Sequence, residues 1–115
     1  MSLDSNAVIA KLEGSPADAK AVTDAIGGRT PTVSPQATKE FLRGGGDKEA
    51  LRGFLKENGG RVGSGARTSD VNNLMGRGLK EADAKVGASA LRDGNKVLTR
   101  DKKFQKKVPE LTEGF

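Results

Sequence analysis

The chain has 115 residues, of which 20 are Lys or Arg and 15 are Asp or Glu, so its formal net charge is +5. It contains no cysteine, histidine, tyrosine or tryptophan. This composition excludes disulfides, thiolate nucleophiles, ordinary zinc sites and a Ser-His-Asp triad. Carboxylates, lysines and hydroxyl groups remain for any hydrolytic chemistry, and carboxylates favour hard cations such as Mg²⁺ or Mn²⁺. The chain has no apolar run long enough to span a membrane and no signal-peptide pattern, so we expect no membrane association.

A chain of this length is expected to form one domain with a modest core. Short predicted strands alternate with amphipathic helices, which predicts a three-layer α/β/α, Rossmann-like fold with a parallel sheet of four to five strands. The strands are predicted at residues 2–3, 31–34, 61–62, 97–99 and 111–115. The helices are predicted to begin near Asp4, Pro16, Pro35, Asp47, Asp70, Leu79 and Asp101. In the first helix, Val8, Ile9 and Leu12 are expected to face the core.

The segment 79–104 is predicted to form a helix, a tight turn, a buried strand and a further helix. Leu79, Val86 and Ala90 recur at helical spacing and are expected to share a buried face. Gly94 stands where a residue in the left-handed conformation commonly ends a helix. This segment therefore carries the last crossover into the sheet.

Two acids in this segment are predicted to approach each other. Asp83 lies on or beside the buried face of the helix, and Asp101 follows the strand almost directly. In open α/β sheets, ligand sites form at the carboxyl ends of the strands. Both carboxylates are therefore expected at that edge of the sheet.

Four segments of the chain resemble motifs of the PIN domain family and occur in the family's order. Residues 3–10 resemble the start of PIN domains, where a strand ends in Asp-Thr/Ser-Asn and an apolar helix follows. Residues 34–42 resemble the segment that carries the family's helical acid, and residues 81–84 and 97–104 resemble its closing half. The resemblance implies a compact PIN-like nuclease domain over residues 1–115. PIN domains are metal-dependent nucleases, often ribonucleases and often VapC-like toxins.

By this resemblance, the catalytic and metal-binding residues are Asp4, Glu40, Asp83 and Asp101, with Asn6 and Thr99 as polar supports. The implied cofactor is Mg²⁺ or Mn²⁺. The implied reaction is hydrolysis of RNA by a water that attacks the phosphorus directly and leaves 5′-phosphate and 3′-hydroxyl ends. The implied partners are RNA, an antitoxin or immunity protein, and a second copy of the chain in a homodimer. The implied site of action is the cytoplasm, whether the chain is free-standing or a domain of a larger or secreted toxin.

Each of the four acids also has a purely structural interpretation. Asp4 and Asp101 stand at helix N-cap positions. Glu40 can pair with Arg43 on a solvated face. Asp83 would face solvent if the phase of its helix differed by one residue. Taken together, four crowded carboxylates would repel one another and raise one another's pKa without a cation, so their convergence predicts a divalent metal site.

A basic run follows the last predicted strand. It is predicted to bind the backbone of a nucleic acid, although such runs are usually solvated surface. The residues of this run that we expect to contact phosphates are Arg100, Lys102, Lys103, Lys106 and Lys107.

The predicted strand order is 3-2-1-4, with any fifth strand outside the fourth, and helices are expected on both faces. This order places strand one, ending at Asp4, beside strand four, ending near Asp101. The leading hypothesis is a metal-dependent endoribonuclease. The alternative is a catalytically inert PIN-like module that binds nucleic acid or a protein partner through its basic face. Retention of all four acids favours the enzyme, whereas the short segment between Glu40 and Asp83 favours the inert module.

Overall fold

The computed structural model describes residues 1–115 and contains five short parallel strands and seven α-helices. The strands are β1 (Ser2–Leu3), β2 (Thr32–Val33), β3 (Arg61–Val62), β4 (Val97–Leu98) and β5 (Thr112–Glu113). The α-helices are α1 (Ser5–Glu13), α2 (Pro16–Ile26), α3 (Pro35–Arg43), α4 (Lys48–Glu57), α5 (Thr68–Gly76), α6 (Glu81–Arg92) and α7 (Lys102–Lys107). A 3₁₀ turn over Pro109–Leu111 precedes β5.

The strand order is β3-β2-β1-β4-β5, and every pair of neighbouring strands is parallel. The predicted order and the predicted α/β class are confirmed. The chain moves in one direction along the sheet from β1 to β3, then returns past β1 to β4 and β5. Because crossovers between parallel strands are right-handed, this reversal puts helices on both faces of the sheet. Helices α2, α3 and α4 contact α1, and α5 contacts α6, which also contacts α3.

Helix starts follow the local chemistry of the sequence. The side chains of Ser15 and Ser34 accept hydrogen bonds from the backbone N–H groups of Asp18 and Ala37, at 3.1 and 3.0 Å. A proline occupies the first helical position after each of these serines, where it has no hydrogen bond to lose. Gly94 has a φ of 68°, which confirms the left-handed conformation predicted for the end of α6.

The core joins the two helical layers through the sheet. The largest fully buried side chains are Phe41 of α3 and Phe104 of α7. The contact between α5 and α6 depends on a small residue, since a Cβ atom at Gly87 would lie 3.0 Å from the Cδ1 of Leu74. Small residues in α6 therefore let α5 pack closely against it.

Two predictions about helix faces need correction. Ile9 is 44% exposed, whereas Ala7, Val8 and Ala10 are buried. At 3.6 residues per turn, those three side chains share one side of α1 and Ile9 lies opposite them. Leu79 is buried as expected, but it precedes α6, which begins at Glu81.

The longest helix has 12 residues. None of the helices combines the length and the hydrophobicity needed to cross a lipid bilayer.

Gly60→Ala is expected to lower the free energy of unfolding by about 1–3 kcal/mol, as overpacking does. A Cβ atom there would lie 2.3 Å from the carbonyl oxygen of Pro31, a backbone atom beside β2. The matched control is Gly53→Ala inside α4, where a Cβ atom meets nothing within 4 Å. That variant is expected to gain about 0.5–1 kcal/mol. Urea denaturation measures both, and equal effects of the two variants would contradict the close approach at Gly60.

Candidate active site

The pairing of β1 with β4 sets the position of the first acid. Ser2 is in register with Val97, and Leu3 with Leu98. The next residue, Asp4, donates its backbone N–H to the carbonyl oxygen of Leu98 at 3.0 Å. Asp4 therefore lies at the carboxyl end of β1, next to Thr99 at the end of β4.

The carboxylate of Asp4 is held by three donors. One oxygen accepts the Thr99 hydroxyl at 2.8 Å and the Asn6 amide at 3.4 Å. The other accepts the backbone N–H of Ser5 at 2.9 Å. Asp4 is only 4% exposed, and the Asn6 amide also donates to the Thr99 oxygen at 3.1 Å. Asn6 and Thr99 thus contact the acid that they are predicted to support.

Asp101 is the N-cap residue of α7, which agrees with the structural interpretation of this acid given above. Its Oδ1 accepts the backbone N–H groups of Lys103 and Phe104 at 2.9 and 3.2 Å. Its own backbone N–H donates to the Thr99 hydroxyl oxygen at 3.1 Å, so Thr99 links Asp101 to Asp4. The Oδ2 atom of Asp101 has no hydrogen-bond partner in the protein and stays available to a ligand.

The four acids are close enough to influence one another's charge. Burial raises the pKa of Asp4, and the carboxylates of Glu40 and Asp101 raise it further. Burial is also the first cause that raises the pKa of Asp83, followed by the charges of Asp4 and Asp101. The pKa of Glu40 is raised by burial and by Asp83. The structure thus brings the four predicted acids into one electrostatic group.

No basic side chain forms an ion pair with any of these acids. The structure contains seven ion pairs, and all of them lie elsewhere. The ion pair between Glu40 and Arg43, which the structural interpretation of Glu40 expects, is not formed. Asp83 is half-buried rather than exposed. The negative charge of the group is therefore not neutralised by direct contact with a basic side chain.

The residue types of the acid group suit a hydrated divalent cation, but their spacing does not form a ready-made site. No group of three or more of these acids is placed so that it could hold a metal ion. Mg²⁺, however, usually keeps several waters and binds through one or two carboxylates, so such a set is not required. Crowded carboxylates around a polar, hydroxyl-lined edge are the hard oxygen donors that Mg²⁺ and Mn²⁺ prefer.

Lys80 is a residue near the site that the sequence reasoning missed. It stands at the N-cap position of α6, three residues before Asp83, and it is exposed. Its positive charge counteracts the causes that raise the pKa of Asp83. The signal was present in the sequence, because residues three apart at a helix start are neighbours.

Two side chains of the basic run contact other parts of the protein, and the remaining three have no side-chain partner. Arg100 pairs with Asp18 at 3.1 Å, and its guanidinium carbon lies 4.5 Å from the centre of the Phe115 ring. The ammonium of Lys107 donates to the carbonyl oxygen of Gly78 at 2.8 Å. The exposed members that lack a side-chain partner are Lys102, Lys103 and Lys106.

Comparison with known proteins identifies a shared fold. A scan against protein-family models and a search of the curated proteins give no match. A search of the solved structures finds a chain in the crystal structure of VapBC2 from Rickettsia felis bound to a DNA fragment from their promoter. The TM-score is 0.73 at 18% sequence identity, and the match covers 99% of this chain and 97% of that chain. At this identity, the likeness shows the same three-layer α/β/α fold.

Asp83→Asn is expected to raise the melting temperature of the metal-free protein at neutral pH. A carboxyl whose pKa is higher in the folded than in the unfolded state binds protons more readily when folded, so its ionised form opposes folding. The gain from Asn should shrink as the pH falls through the raised pKa toward the ordinary value of 3.8, where wild-type Asp83 becomes protonated. Thermal unfolding in EDTA across this range measures the difference.

The control for this prediction is Asp47→Asn. Asp47 caps α4 by accepting the backbone N–H of Glu49 at 2.8 Å, outside the acid group. Asn caps a helix about as well as Asp, so this variant is expected to unfold like the wild type at every pH. A melting temperature of Asp83→Asn below that of the wild type would contradict the repulsion among the acids.

Proposed function

We propose that the chain is a metal-dependent endoribonuclease of PIN type that acts as a toxin module. The observation that carries this proposal is the group of four carboxylates, on four different elements, around the carboxyl ends of β1 and β4. Folding brings them together against their mutual repulsion and without a basic side chain in contact. A bound divalent cation is the simplest ligand that would reverse this repulsion.

The acid group of Asp4, Glu40, Asp83 and Asp101 would hold a hydrated Mg²⁺ or Mn²⁺, with one or two of the carboxylates bound to the ion directly. When bound, such an ion lowers the pKa of water and stabilises negative charge on phosphoryl oxygens. Thr99, Asn6 and the backbone of Ser5 keep the Asp4 carboxylate in one orientation. Carboxylates with raised pKa values are suited to accept a proton from water. In the reaction, the water oxygen bonds to phosphorus, the bond to the 3′ oxygen breaks, and that oxygen leaves with a proton.

Further support comes from the motifs that resemble PIN domains and from the shared fold. The VapBC2 structure holds a DNA fragment. By analogy, we include a nucleic acid and a protein partner, an antitoxin or immunity protein, among the ligands of this chain. The proposed substrate is RNA, and the proposed assembly is a homodimer. The exposed lysines of α7 begin directly after Asp101, which places positive charge beside the acids.

A second candidate function is a catalytically inert PIN-like module that binds nucleic acid or a protein. Two observations favour it. No three acids form a complete ligand set, and Asp101 already has a structural role as the cap of α7. Such a module would use the free lysines of α7 without cleaving the bound strand.

Asp101→Asn is expected to lower the rate of RNA cleavage by about 100-fold to 10 000-fold. Asn keeps the shape and the cap of α7 but removes one charge from the acid group. Cleavage of a fluorescent single-stranded RNA in Mg²⁺ or Mn²⁺ measures the rate. If the variant cleaves RNA like the wild type, Asp101 is only a helix cap.

The stability readout separates lost chemistry from lost structure. Without metal, Asp101→Asn should melt within a few degrees of the wild type. Added Mn²⁺ should raise the melting temperature of the wild type by mass action, and raise that of the variant less. A wild-type protein that gains no stability from Mn²⁺ or Mg²⁺ and cleaves no RNA would support the inert module.

Changing both Lys102 and Lys103 to Ala is expected to flatten the salt dependence of RNA binding. For single strands, each lost phosphate contact reduces the slope of log affinity against log salt by about 0.7, so the double change should remove about 1.4. The effect should be equal for all RNA sequences. The control is the same change at Lys48 and Lys56 of α4, which are exposed and form no ion pair. Equal slopes for both double variants would place the RNA elsewhere.

A further inference from the structure

A groove of about 610 Å³ lies outside the acid group, between helices α3, α5 and α6. Its walls come from the first half of α3 and from one side of α5, and the first turns of α6 contribute Glu81 and Lys85. This volume lies within the range of small-molecule sites in proteins. None of the acids, polar supports or basic residues singled out above lines the groove.

Most of the residues that line the groove are of polar types, and several of their side chains have no hydrogen-bond partner in the protein. Gln36 and Lys39 of α3, and Thr68 and Asn72 of α5, line the groove and form no side-chain hydrogen bond or ion pair within the protein. Two of these four side chains are amides, which offer donors and an acceptor together. The groove thus presents free hydrogen-bonding groups rather than a completed internal network.

Three of the ten lining residues are hydrophobic: Ala66, Val71 and Met75. Met75 is the only large apolar side chain of the groove that is exposed, at 41%, and Val71 is half-buried beside it. A bound helix or peptide normally needs several successive apolar anchors, which this surface lacks. One flat apolar group edged with hydrogen-bonding atoms suits the lining better, and a nucleobase has that character.

The groove and the acids share two helices. Gln36 lies one turn before Glu40 on the same side of α3. On α6, Glu81 and Lys85 line the groove and Asp83 lies between them in sequence, on another side of the helix. A strand whose phosphodiester reaches the acids therefore has a neighbouring nucleotide beside the groove.

The charges of the groove complement such a strand. Lys39 has no ion-pair partner, and Lys85 is held by Glu81 at 3.1 Å on the exposed surface. Exposed pairs of this kind contribute little stability, so Lys85 is free to exchange Glu81 for a phosphate. Lys39 of α3 and Lys85 of α6 thus place positive charge on two sides of the groove.

On the basis of the ribonuclease function proposed above, we infer that this groove binds one unstacked nucleobase of the RNA, next to the phosphate that is cleaved. Asn72 and Gln36 read the hydrogen-bonding edge of the base, Met75 packs against its face, and Lys39 and Lys85 contact the flanking phosphates. The groove then sets the base preference of the enzyme, whereas the lysines of α7 contribute affinity that is independent of sequence.

The test measures base preference in the Asp101→Asn protein, in which cleavage of the probe is expected to be much slower than in the wild type. Fluorescence anisotropy gives the dissociation constants of labelled single-stranded homopolymers of A, C and U with the Asp101→Asn protein in Mg²⁺. The ratio of the weakest to the tightest constant is the readout. Adding Asn72→Ala or Gln36→Ala should reduce this ratio by about tenfold. The matched control is Asn73→Ala, an exposed neighbour that does not line the groove, which should leave the ratio unchanged.

The outcomes separate this inference from the function on which it rests. One outcome is that the wild-type protein binds and cleaves RNA while the groove variants keep the ratio of dissociation constants of the Asp101→Asn protein, and another is that it does so while no base preference is measured. In either case the groove inference is wrong and the proposed ribonuclease function is not affected. If the protein neither binds nor cleaves RNA, both the groove inference and the proposed ribonuclease function are wrong. If Met75→Glu instead dissociates a dimer in sedimentation velocity and leaves the ratio intact, the groove belongs to a second copy of the chain.

Discussion

Strand β1 lies at the centre of the sheet and pairs with β4, which is far away in sequence. The hydrogen bond from the Thr99 hydroxyl to the Asp4 carboxylate joins residues 95 positions apart. Asp101 is attached to the same hydroxyl through its backbone N–H. Glu40 lies on α3, which follows β2, and Asp83 lies on α6, which leads into β4. If β1 and β4 were not neighbours, the four acids would be scattered over the molecule and no common site would exist.

The acid group opposes the folding that assembles it. Burial and mutual repulsion raise the pKa of three of its members, so ionised carboxylates destabilise the metal-free protein at neutral pH. The other acids with shifted pKa values behave in the opposite way, as Asp93 shows through its bonds to Ser64. A fold that tolerates local instability at one edge is expected where a ligand supplies the missing stabilisation. This contrast within one chain supports a ligand-binding role for that edge.

Much of the architecture could be predicted because it depends on local signals. Capping serines followed by proline mark the starts of α2 and α3, and the alternation of strands and helices predicts the parallel sheet and its order. Other features depend on tertiary packing that one sequence does not display. Ile9 is as apolar as its buried neighbours and still faces solvent, and Arg100 is drawn into contact with Phe115. The groove was not predicted because its lining comes from three helices and from the loop before α5. The metal-binding and catalytic roles of the acids stay predictions.

The pairing of β1 with β4 also has a consequence for the time at which the site forms. During synthesis, β1 and β2 leave the ribosome before the other strands and can pair with each other, because only about 30 residues separate them. The partner of β1 on its other side arrives only with residues 97–98, about 95 residues after β1. Contacts between such distant segments form slowly, since a long loop must first be closed. The proposed nuclease activity would therefore begin only after β4 and Asp101 have been made and β4 has paired with β1, although Asp4 and Glu40 are present long before.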